Sequence, residues 1–156
     1  MAHGAPIDMP LLAAVFTLLL IFRGFIVRNL TRLGLPKIIL ALLCGALLIA
    51  FEEKINCGAY GCVAVLLPPT TWFLLVQLLV LFTILRVIRT TRVMLPTILY
   101  SAFGILFEVF LGAAKGEMHQ LASTRPLVFS LIVLWVGFSY VFISFLPIAV
   151  LNADRH

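Results

Sequence analysis

Long apolar runs separated by short polar clusters set the pattern of this chain. Five runs can be drawn: Pro10 to Val27, Leu33 to Phe51, Pro69 to Leu85, Val93 to Ala114 and Pro126 to Leu151. Apolar residues are continuous within each run, unlike the alternating segments of about ten residues that build a membrane β-barrel. Continuous runs predict helices. Each approaches or exceeds the roughly 20 residues that a helix needs to cross a hydrocarbon layer about 30 Å thick. The third is the shortest, and Val63 to Leu67 can extend it, with Pro68 and Pro69 in a first turn where a missing N–H costs little. The expected fold is an all-α integral membrane protein, a bundle of five transmembrane helices.

Part of this pattern is repeated. Thr31, Arg32, Leu35, Pro36 and Ile38 recur sixty positions later as Thr91, Arg92, Leu95, Pro96 and Ile98, and upstream Leu18, Leu19 and Phe22 match Leu78, Leu79 and Phe82. Residues 10–51 therefore read as one helical hairpin, 69–114 as its duplicate and 126–151 as a fifth helix, all within a single membrane domain, 1–156. A unit of two helices returns the chain to the side it started from. The copies thus keep one orientation and form a parallel repeat about the membrane normal. Pro36 and Pro96 each preset the start of the second helix of a copy.

Composition places the chain in lipid. Of 156 residues, 63% are hydrophobic and 11% charged, against about half and a quarter in soluble domains. The first run is expected to stay as a helix, because Met1 to Met9 lacks the basic segment of a signal peptide and Val27 is followed by Arg28-Asn29-Leu30. The net charge of +5 is distributed as a membrane topology. Arg28, Arg32 and Lys37 flank the first turn, Arg86, Arg89 and Arg92 the third, and Arg155 the end, whereas Glu52, Glu53 and Glu117 fall in the other two loops. The positive-inside rule then gives an outside amino terminus and an inside carboxyl terminus. The basic turns are expected to meet anionic lipid headgroups and not nucleic acid. Compactness and the lack of eukaryotic sorting features point to a cell membrane of bacterial or archaeal type.

Candidate chemistry lies in the few polar residues inside the runs. The fourth run carries Tyr100, Ser101, Gly104, Glu108 and Gly112 at spacings of three or four, one polar and small stripe on an otherwise apolar helix. Glu108 falls about fifteen residues into it, deep in the hydrocarbon at 1.5 Å per residue. An ionised carboxylate there costs several kcal/mol unless it is paired, hydrated or protonated. Two readings follow: a carboxyl in a transport path, or a protonated one bonded across a helix interface to Gln77, Tyr140 or a serine. Gln77 should face another helix, since an amide in hydrocarbon seeks a hydrogen bond. Arg23 either snorkels to the headgroups or has a partner inside the bundle. Cys44, Gly45 and Ala46 allow close helix approach, and Pro147 should bend or fray the end of the last helix.

Between the second and third runs, Cys57-Gly58-Ala59-Tyr60-Gly61-Cys62 places two cysteines around a tight turn on the outer side. A structural disulfide between Cys57 and Cys62 is expected there; a redox pair would more usually be Cys-x-x-Cys. Lys115 to Arg125 reads as a solvated outer loop. All three histidines, His3, His119 and His156, lie outside the runs, so neither haem nor a metal is expected. Phosphate loops, nucleophile elbows and dinucleotide fingerprints are missing. No cofactor is expected, and catalysis is the weaker class. Five short-looped helices leave little room for a private solute path, which favours a homo-oligomer or a place in a larger membrane complex. The surviving functions are a channel or transporter for a small ion or proton and a non-catalytic structural subunit.

Overall fold

The computed structural model describes residues 5–57, 69–88, 92–111 and 115–153, with side chains over 10–55, 72–88, 92–111 and 115–153. Among these residues every regular element is helical: α1 (Ala5–Thr31), α2 (Lys37–Cys57), α3 (Pro69–Ile88), α4 (Met94–Ile105) continued by a π-helical segment (Leu106–Leu111), α5 (Lys115–Thr124) and α6 (Pro126–Leu151). Three helical stretches, Pro10–Thr31, Met94–Leu111 and Pro126–Leu151, are long and apolar enough to cross a membrane. Trp72–Ile88 is a shorter apolar helix. These apolar helices make the chain a candidate membrane protein.

The first basic turn is built from its own sequence. Thr31 Oγ1 donates back to the carbonyls of Val27 and Arg28 at 3.0 and 3.1 Å, and α1 ends there. Gly34 then takes a φ of 70°, a conformation open to glycine at little cost, and the chain reverses into Pro36, whose carbonyl accepts the N–H groups of Ile39 and Leu40. The position sixty residues later is Met94, already the first residue of α4. The two copies thus share their Thr-Arg and Leu-Pro residues while differing in how the helix starts.

The described parts of two expected loops are helical. α2 does not stop at Phe51 but continues through Glu52 and Glu53 to Cys57. Its buried positions, Leu40, Ala41, Cys44, Gly45, Ile49, Glu52 and Ile55, keep the spacing of three and four straight across the charged residues. Lys115 to Thr124 forms α5, an exposed helix with no buried residue. Good helix formers, Met118, Gln120, Leu121 and Ala122, favour it. It ends where Arg125, preceding Pro126, leaves the helical region at φ −141°, ψ 68°.

The core forms around α6, which packs against α4, α2, α1 and α5. Its second half, Ser139 to Val150, is almost wholly buried, whereas Leu127 and Leu134 in the first half are exposed. Phe142, fully buried, stacks near Phe51 of α2 and Phe16 of α1 at centroid distances of 6.0 and 6.3 Å. α6 runs through Pro147 to Leu151 without ending. α3 lies on α2, where Leu78 covers Gly45 so closely that a Cβ there would come within 2.7 Å of its Cδ1. α3 and α4 make little backbone contact among the described residues. α3 reaches α4 mainly through side chains, Phe73 on Phe107 at 5.0 Å among them.

Asn152, just past α6, is 1% exposed, and neither its amide oxygen nor its nitrogen has a hydrogen-bond partner among the described residues. A buried unsatisfied polar group costs about 1–3 kcal/mol. Asn152→Leu, similar in volume and compatible with the φ of −96°, is expected to raise stability by about 1 kcal/mol or more, read as a higher unfolding midpoint in detergent micelles.

Candidate functional site

The polar stripe of α4 is pressed against α6. Pro96, Thr97, Tyr100, Ser101 and Gly104 form the buried face of α4. Opposite them stand Gly137, Ser139 and Tyr140. Small residues let the two backbones approach. Ser101 Oγ donates to the Gly137 carbonyl at 2.8 Å, and a Cβ built on Gly137 would lie 3.2 Å from that Oγ. Gly104 lies directly under the Tyr140 ring, in space that any Cβ would need. Interhelical hydrogen bonds in membranes contribute about 0.6 kcal/mol on average. Ser101→Ala is therefore expected to lower stability by about that amount and no more, as measured by unfolding in detergent.

Tyr140 crosses this glycine to reach Glu108. Its hydroxyl donates to Glu108 Oε1 at 2.8 Å. The Tyr100 ring sits 5.1 Å from the Tyr140 ring, and the Tyr100 hydroxyl donates to Gln77 Oε1 at 3.2 Å. Gln77, Tyr100, Tyr140 and Glu108 thus form one polar column joining α3, α4 and α6. The Gln77 amide nitrogen is buried without a partner among the described residues, so the column retains one unused donor.

The π-helical segment decides how Glu108 is presented. In an i to i+5 turn the residue stacked beneath Gly104 is Val109, and Val109 is the buried one, 2% exposed. Glu108 stands beside it, exposed over part of its surface while its carboxyl bonds Tyr140. The described part of the segment runs to Leu111. π-helical turns recur at functional sites, where they turn one side chain out of the ordinary register.

A second carboxyl joins the site. Glu52, read from sequence as a loop residue, is 5% exposed within α2. It lies within electrostatic reach of Tyr140, and Glu53 within reach of Glu108. The signal for Glu52 was present in the spacing of buried positions along α2, which its charge obscured. Arg23, by contrast, stays apart from the column. Its guanidinium lies over the Phe145 ring of α6, 5.7 Å from the centroid, a cation–π contact. Cys62 and the side chain of Cys57 lie outside the described residues, as does Gly112. Cys44 is a buried free thiol. Among the described residues no group of three or more His, Cys, Asp or Glu is placed to hold a metal ion.

Comparison with protein-family models, curated proteins and solved structures finds no match to this chain.

Proposed function

We propose that the chain is a small polytopic membrane protein of five transmembrane helices, with its amino terminus outside and its carboxyl terminus inside. It works as an oligomer and passes a proton or another small cation along the polar column. The observation that carries this reading is the Glu108 carboxyl, held by the Tyr140 hydroxyl at 2.8 Å within an otherwise apolar helix. Ionisable groups are expensive in a membrane, and those retained there mark ion and proton pathways. Glu108 is the charged group that binds and releases the ion. Tyr140 and Tyr100, whose hydroxyls both donate and accept, extend the path, and Gln77 supplies a neutral ligand at its far end. Glu52, buried at the charged end of α2, adds a second carboxyl within electrostatic reach of Tyr140. α2 and α3 complete the five spans in this reading, with the charged end of α2 near the outer headgroups.

The test is proton flux in proteoliposomes carrying either the native protein or Glu108→Gln. Loss of flux with the fold intact supports the path; equal flux in the two rules it out.

A second reading, a structural subunit of a larger complex, has its own support. The Ser101, Tyr100 and Tyr140 hydrogen bonds each tie two helices together, which is what polar glue between spans does. Extraction under mild conditions followed by native mass spectrometry separates the two: stoichiometric foreign subunits favour the structural role, and a homo-oligomer favours transport.

A further inference from the structure

The oxygens of the polar column are strung out along it and not gathered around one point. Glu108 Oε1 accepts the Tyr140 hydroxyl at 2.8 Å and Gln77 Oε1 accepts the Tyr100 hydroxyl at 3.2 Å, and the rings that carry the two hydroxyls lie against each other at 5.1 Å. Both tyrosines are buried, Tyr140 to 2% and Tyr100 to 5% exposure. The Tyr140 ring fills the space over Gly104 so fully that a Cβ on Gly104 would have no place there. A metal cation in a membrane path either keeps its shell of water or exchanges it for a ring of oxygens. Neither arrangement fits between these rings. A proton needs no space of its own, because it moves along a hydrogen bond while the heavy atoms stay in place, and a hydroxyl can accept one proton as it donates another. Gln77 points the same way. Its Oε1 is engaged by Tyr100, and its buried amide nitrogen has no partner among the described residues; an N–H group there suits the oxygen of a water and repels a metal ion.

We propose that the ion carried by the column is the proton alone, and that the Tyr140 hydroxyl relays it to Glu108. This rests on the transport reading and adds to it the identity of the ion and the residue that selects it. In the relay a hydronium ion gives a proton to the Tyr140 oxygen as the Tyr140 hydroxyl proton passes to Oε1 of the ionised Glu108. One O–H bond breaks and one forms at Tyr140, the hydronium becomes water, and Glu108 becomes neutral. Glu108, exposed over part of its surface, then returns a proton to water, and rotation of the Tyr140 hydroxyl resets the bond. Charge crosses the packed region without any heavy atom doing so.

The test uses the full-length protein in proteoliposomes loaded with dyes for protons, sodium or potassium, each driven by its own gradient. The native protein should carry protons and pass sodium and potassium no faster than empty liposomes. Tyr140→Phe keeps the ring over Gly104 and removes only the relay, so proton flux should fall by about 10²-fold while both metal ions stay at background. Glu108→Gln is run beside it, and the unfolding midpoint of each preparation shows whether the fold survived. If Tyr140→Phe does not fold, the ion selectivity of the native protein decides. Sodium or potassium flux that depends on Glu108 overturns this proposal and leaves the transport reading standing, as does a folded Tyr140→Phe protein with native proton flux. If no ion crosses in a Glu108-dependent way, the transport reading fails and the proposal fails with it.

Discussion

Gly104→Leu is expected to be the most damaging single substitution in the chain. The space in front of the Gly104 Cα is already filled by the Tyr140 ring, and the ring is held from three sides. Its hydroxyl is bonded to Glu108, its face meets Tyr100, and its backbone sits in the buried half of α6. A flexible side-chain tip would yield, but an aromatic ring anchored at both ends cannot move without breaking the Glu108 bond or separating α4 from α6. Overpacking of a close-packed interior costs about 1–3 kcal/mol and occasionally more. Losing the bond to a charged or shared-proton acceptor adds about 1.5–3 kcal/mol. Together these reach the lower end of the whole stability of a small domain, about 5–15 kcal/mol. Gly104→Leu should therefore fail to give a folded, monodisperse protein in detergent, and Gly104→Ala should show a clearly lowered unfolding midpoint. Pairing Gly104→Ala with Tyr140→Leu tests the cause. If the ring is what a Cβ meets, the double variant recovers part of the loss; if it is no better than the sum of the singles, the clash lies elsewhere.

The second large effect is functional. Glu108→Gln keeps the shape of the side chain and an oxygen that can accept the Tyr140 hydroxyl, so stability should change by about 1 kcal/mol or less. It removes the group that can exchange a proton or hold a cation. A positioned acid or base contributes about 10²–10⁴-fold to a proton-transfer step, and flux through the reconstituted protein should fall by about 10²-fold at least. The assay is a pH-sensitive dye inside proteoliposomes under an imposed potassium diffusion potential. The unfolding midpoint, measured on the same preparations, shows whether the fold survived. A variant that stays folded and loses flux places Glu108 in the path. One that stays folded and conducts normally leaves Glu108 as helix glue, in line with the structural reading.

Several features of the column were visible in the linear pattern. Tyr100, Ser101, Gly104 and Glu108 stood out because polar and small residues at spacings of three and four need no partner to be recognised on one face of a helix. Gln77 stood out as an amide in an apolar run. Their connections were only partly visible, Tyr140 being one of several candidate partners for Glu108 that the pattern could not choose between. That Tyr140 bonds Glu108 while Tyr100 bonds Gln77 depends on how α6 and α3 are rotated and shifted against α4, and a pattern within one helix carries no information about its neighbour's register. Glu52 was misplaced for a related reason. A cluster of charges ends an apolar run, but a helix ends only where its backbone does. The same error turned α5 into a loop, because hydropathy separates lipid from water and not helix from coil.

By itself the sequence determined the apolar character and the element type. Continuous apolar runs of helical length satisfy their backbone hydrogen bonds within the segment and bury their side chains in any apolar surroundings, so composition and periodicity were enough to give an all-helical chain with apolar spans. It also marked Pro36, whose backbone limits are local. Tertiary structure alone decided the rest: α6 as the centre of packing, α3 against α2 in place of α4, and the π-helical turn that buries Val109 and sets Glu108 at its edge. Each of these depends on which side chain fills which space between helices. That is a property of pairs far apart in the chain, of which Tyr140 packed over Gly104 is one.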